Sequence, residues 1–265
     1  MTEPKKIRCA ARTILDPRLS ASVLPPVTWL ADLETGWLAM AQVFGPAHGF
    51  NGNHPAGLVV QACANAVRAC FDPEADFSDR EGVVLKDSLA AAHDALEAFS
   101  HRLGLVYQGK SVVGASVLTC LFRVGMVHLI QVGDGVAYRF RTGMFSRLTQ
   151  ADTLSEVCTS AGIKPPYGAG HTLTRWIGFE SGRSGTQDVL AEVKVHTAVV
   201  EVGDFYLFLV GGSPTVFDLD EMNAIFRSVL DLEERADALA ARLIRDITNK
   251  PGGRSMVFTL VDPAA

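Results

Sequence analysis

Residues 111–149 constrain the fold more than any other stretch. Four β-rich runs follow one another, "SVVGASVLTCLFRV", "MVHLIQV", "GVAYRFR" and "FSRLT", with only short glycine turns at Gly125, Gly133–Gly135 and Gly143 between them. Turns this short join antiparallel neighbours, because a parallel crossover needs a dozen residues or more. The spacing predicts an antiparallel meander, and it leaves no room for βαβ alternation.

The flanking segments extend the pattern. Residues 7–14 read as a strand, and 27–32 and 37–44 as a hairpin turning at Glu34-Thr35-Gly36. Helical periodicity runs from Pro55 to about Phe71 and again over 79–103. In the second segment Val84, Leu85, Leu89, Ala92, Leu96 and Phe99 recur near every 3.6 residues, and Gly104 stops the helix. A short helix near 153–161 ends at Gly162. Strands are expected at 191–200 and 204–210, helices at 219–229 and 232–248, and a closing strand at 255–261. Asp231 caps the last helix, with Glu234 completing a capping box. This order predicts an α+β fold of antiparallel sheets flanked by helix pairs. No linker divides the chain, so a single domain over residues 1–265 is expected.

Charge and cysteine usage narrow the function classes. The net charge is −5, with no basic stripe interleaved with aromatics, so nucleic acid is not expected as a partner. Lys5, Lys6 and Arg8 read as a charged terminus. The opening residues lack a long apolar core and no run is long enough to span a bilayer, so a soluble cytoplasmic protein is expected. The five cysteines form no CxxC pair, and Cys63 and Cys70 read as small buried side chains on one helix face. The alanine-rich composition fits a bacterial source. His48 and His54 read as loop histidines, His93 and His101 as solvent-facing, and Asp204 as a turn residue.

The motifs in order then resemble those of the metal-dependent serine/threonine protein phosphatases of type 2C, the PPM family. "VGDGVAYRF" (132–140) is similar to "VGDSRAYL", and "GASVLTCLF" (114–122) to "GTTLVAALI". "LTQADTLSEVCTSAG" (148–162) resembles "LTRDHSLVAELVEAG", "LTRWIG" (173–178) resembles "LTRALG", and "VGDFYLFLVGG" (202–212) resembles "PGDRLLLCSDG". The resemblance spans about residues 7–261. It implies a four-layer α-β-β-α sandwich and a two-metal site between the sheets, where Mg²⁺ or Mn²⁺ activates water against a phosphoserine or phosphothreonine.

Against that pattern the acidic positions are degenerate. The family's first motif places an arginine before Asn-Glu-Asp. Here Arg18 stands at the arginine, but Ala21, Ser22 and Val23 follow. In the second motif Gln42 replaces the bridging aspartate and Val43 the metal-facing glycine. In the third, Gly211 replaces the aspartate of Ser-Asp-Gly, and Thr215 replaces an acid four places on. In the fourth, Ser255 stands where Asp-Asn should begin. Asp134 alone matches a family carboxylate, an accessory metal ligand, and is read here as a turn residue. Hard divalent cations need anionic oxygens, and two such ions carry four positive charges to offset.

The expectation is a pseudophosphatase with no catalytic residues and no cofactor. It would act as a binding or regulatory module whose partner is a kinase, a phosphoprotein or an active phosphatase. The alternative is an atypical Mn- or Mg-dependent phosphatase with a rearranged site that uses Asp134. Arg18 is read as a loop arginine, with phosphate binding as the other reading.

Overall fold

The computed structural model describes residues 7–15, 27–45, 55–70, 80–107, 110–123, 125–178, 190, 192–211, 218–248 and 255–263. One antiparallel sheet contains β1 (Arg8–Leu15), β12 (Ser255–Asp262), β11 (Phe205–Val210), β8 (Val136–Arg141) and β9 (Met144–Arg147), in that order. The other contains β10 (His196–Val199), β7 (Met126–Val132), β6 (Gly114–Arg123), β3 (Trp37–Phe44) and β2 (Val27–Asp32). A two-residue ladder pairs β4 (Val106–Tyr107) with β5 (Lys110–Ser111).

The layers follow from the period of two along each strand. Leu38 and Met40 of β3 join Leu118, Cys120, Leu129, Tyr206, Phe208 and Val257 between the sheets. The alternate residues Ala39, Ala41 and Val43 turn outward to α1 (Pro55–Cys70) and α2 (Glu81–Arg102), where they meet Val59, Cys63, Leu85 and Leu89. On the opposite face Leu207, Leu209, Phe258 and Leu260 pack against α4 (Leu219–Ser228) and α5 (Leu232–Thr248) through Phe226, Leu239 and Leu243. Each fully buried Leu or Phe contributes about 1.5–3 kcal/mol. The short helix α3 (Leu154–Ser160) begins at Thr153, whose hydroxyl accepts from the Glu156 N–H. The predicted α+β sandwich with helices on its outer faces is therefore the observed fold.

Several expectations need correction. The meander is not one sheet: β6 and β7 belong to one and β8 and β9 to the other. The turn Gly133–Asp134–Gly135 carries the chain across. Three linking residues, at about 3.3–3.6 Å each, suffice to bridge sheets roughly 10 Å apart. The strand expected at 191–200 is only His196–Val199, paired to Met126–Leu129 of β7. His93 is buried rather than solvent-facing, because its Nδ1 accepts from the Gly178 N–H at 2.9 Å. Cys63 is buried but Cys70, at the end of α1, is exposed. Asp204 is a buried ion-pair partner of Arg141 as well as a turn residue.

Candidate functional site

Strand direction brings most of the positions read as degenerate to one end of the sandwich. Gln42, near the C-terminal end of β3, lies opposite Ser116 at the start of β6. The Ser116 hydroxyl accepts from the Asp134 N–H at 3.2 Å, which places the Gly133–Gly135 turn beside the same pair of strands. A Cβ on Gly135 would meet Leu118 Cβ at 3.1 Å and Val210 Cγ2 at 3.4 Å, so the turn also packs against the end of β11. Gly211 follows directly, with φ +80°. Val210 pairs with Val257, two residues from Ser255 at the start of β12, and Ser255 pairs with Leu15 at the end of β1. Gln42, Asp134, Gly211 and the Ser255 backbone therefore share one end.

Val43 does not join them. It is buried in the layer between its sheet and α1 and α2. Arg18 and Thr215 lie outside the described residues.

The crossing turn is held by a residue that sequence reasoning did not single out. Asp152 Oδ2 accepts from the Gly133 N–H at 3.0 Å, and the Asp152 N–H donates to the Gly133 carbonyl at 2.7 Å. Asp152 Oδ1 accepts from Arg175 Nε and Nη2 at 2.9 and 2.6 Å, and its carbonyl accepts from the Thr174 N–H at 2.9 Å. Burial raises the Asp152 carboxyl above its ordinary value, and the Arg175 and Gly133 bonds offset this only in part. Both residues sit inside the stretches "LTQADTLSEV" and "LTRWIG", so the resemblance marked the segments without marking the tie between them. Trp176 then closes over Phe44 edge-on, with ring centroids 6.1 Å apart.

No protein-family model matches the sequence, and no curated protein does. Solved structures do. The catalytic domain of the serine/threonine protein phosphatase PstP, in complex with two manganese ions, aligns with a TM-score of 0.69 at 19% identity, over 97% of this chain and 98% of that one. The PPM Ser-Thr phosphatase MsPP from Mycobacterium smegmatis, in complex with cacodylate, gives 0.67 at 17%, over 97% and 99%. The serine/threonine phosphatase Stp1 from Staphylococcus aureus gives 0.70 at 12%, over 96% and 94%. This chain has the type 2C phosphatase fold.

The expectation of no cofactor is corrected by that comparison: a type 2C fold solved with two manganese ions points to a metal. The type 2C positions described here do not fit a two-ion centre. Gln42 offers a neutral amide, Gly211 only backbone, and Asp134 is the one carboxylate. Among the described residues no group of three or more His, Cys, Asp or Glu side chains could hold a metal ion. Two divalent cations would be left with most of their charge uncompensated.

Proposed function

We propose that this chain is a type 2C-fold protein that has lost two-metal phosphoester hydrolysis and works as a binding or regulatory module in serine/threonine phospho-signalling. One observation carries the reading: strand register gathers Gln42, Asp134, Gly211 and the start of β12 at one end of the sandwich, with a single carboxylate among them. Fold alone does not confer activity, since chemistry belongs to the site. The partner proposed is a protein kinase, a phosphoprotein or an active phosphatase. The unit is a single domain spanning the chain. A bacterial cytoplasm suits its free thiols, of which Cys63 and Cys120 are fully buried. Among the described residues no helix is long and apolar enough to cross a membrane.

A second reading is a manganese-dependent phosphatase with a rearranged site. The position of Asp134 at the shared end and the manganese-bound structure of the same fold favour it. One ion beside Asp134 is compatible with the first reading, whereas two-ion hydrolysis is not. Titrating Mn²⁺ into the purified protein with an aryl phosphate decides between them. The expected result is no metal-stimulated turnover. Turnover that rises with Mn²⁺ and disappears in Asp134→Ala would establish the second reading instead.

A further inference from the structure

One side chain ties α2 to the segment 173–178. His93, on α2, is 6% exposed, and its Nδ1 accepts from the Gly178 N–H at 2.9 Å. Accepting at Nδ1 fixes the ring as the neutral tautomer with its proton on Nε2. Nε2 lies 3.8 Å from Glu97 Oε2, one turn further along α2. That is too long for a hydrogen bond, and the Glu97 side chain is 38% exposed, so water screens it.

Gly178 is closely enclosed. Its φ is +90°, and an added Cβ would sit 2.5 Å from Leu96 Cδ2 and 2.9 Å from the Val113 carbonyl oxygen. Just before it, Ile177 and Ala115 exchange two backbone bonds at 3.0 and 2.9 Å, Trp176 packs edge-on against Phe44, and Arg175 holds Asp152. His93 thus anchors the end of the segment that reaches the crossing turn.

A proton on Nδ1 removes the acceptor. Two donors would then face each other, with a charge added beside the apolar layer between α2 and its sheet. The surrounding elements offer little to offset this. The buried face of α1 is apolar apart from the Cys63 thiol, which donates to the Ser88 carbonyl. The one charged residue of the segment 173–178 is Arg175, engaged by Asp152. Among the described residues Glu97 is the only carboxylate within 4.0 Å of the ring.

We infer that His93 is an acid-opened latch: the neutral ring ties α2 to Gly178, and a proton on Nδ1 releases that end of the segment carrying Arg175 and Trp176. The closed form excludes a proton from Nδ1 and the open form accepts it, so opening gains as pH falls. A solvated imidazole titrates at about 6.5, so a step from pH 7.5 to 5.5 multiplies the open population about tenfold.

The test is hydrogen exchange at the Gly178 amide of the full chain, corrected for the intrinsic pH dependence of exchange. Protection there should fall about tenfold from pH 7.5 to 5.5, while the amides of the β6–β7 ladder keep theirs. His93→Asn keeps an acceptor oxygen where Nδ1 stands and cannot take the proton, so its Gly178 protection should be the same at both pH values. Wild-type protection that does not change with pH would overturn the inference, as would an equal fall in His93→Asn. Should that variant fail to fold, the imidazole ¹⁵N shifts of the wild type decide. At pH 7.5 they should report the Nε2–H tautomer at His93, and an Nδ1–H tautomer or an imidazolium there would sink the latch. None of these outcomes depends on whether the protein hydrolyses aryl phosphates.

Discussion

Asp204 follows a turn glycine, yet its side chain is 1% exposed. Arg141 donates to it through Nε at 2.7 Å and Nη2 at 2.6 Å, the Glu201 N–H at 2.9 Å, and the Tyr206 hydroxyl at 3.2 Å. Burial opposes the charged form, but these donors outweigh it and hold the carboxyl below its ordinary value. A depressed acid contributes stability that is complete above its unfolded value, about 3.9, and is lost as pH falls through the lower folded value. Asp204→Asn should therefore destabilise the protein by on the order of 2 kcal/mol at pH 7. In urea unfolding, the gap to the wild type should close as pH drops below about 4. Asp152 has the opposite sign. Its raised value means that its charge opposes folding at neutral pH, and its presence there reflects what it holds in place.

Among the elements, the crossing turn and helix α1 give opposite answers to one substitution. Gly133 has φ +97°, and a Cβ there would sit 2.2 Å from the Ser116 hydroxyl. Gly133→Ala combines left-handed strain with overpacking, and a loss of about 3 kcal/mol or more is expected in thermal or denaturant unfolding. Gly57 lies in the first turn of α1 with nothing within 4 Å of an added Cβ. Gly57→Ala should stabilise by about 0.5–1 kcal/mol in the same measurement.

The elements themselves were legible because each strand and helix carries its own period, as in Leu38 and Met40 against Ala39, Ala41 and Val43. Their assignment to sheets was not. A glycine turn that closes a hairpin and one that crosses between sheets have the same local composition, and only the partners of Gly133 and Gly135 distinguish them. The positions read as degenerate could be placed on their strands because apolar strand residues flank them. The Asp152–Arg175 tie could not, because two residues 23 apart in sequence leave no periodic trace of contact. The burial of His93 depends on Gly178, 85 residues away, for the same reason.

For the whole molecule, the sheet order puts β1 at an edge, with β12 as its only neighbour among the described residues. The pairing runs from Arg8 opposite Asp262 to Leu15 opposite Ser255, and an Arg8–Asp262 ion pair at 2.6 Å joins its far end. These contacts span 254 positions, so their closure cannot precede the elements between them without a large entropic cost. In pulse-labelled refolding, the amides of β1 should gain protection after those of β6 and β7. Simultaneous protection would mean that the two sheets form together.

The same pairing sets a delay during synthesis. β1 leaves the ribosome among the first described residues, while its partner is made about 250 residues later. At about 5–20 residues per second the wait is roughly 13–50 s. Throughout that interval β1 offers an unpaired strand edge to any chain nearby. A ribosome that stalls before residue 255 would release a chain with every other described strand present and that edge still open. Such a fragment would be a ready substrate for strand-capturing chaperones.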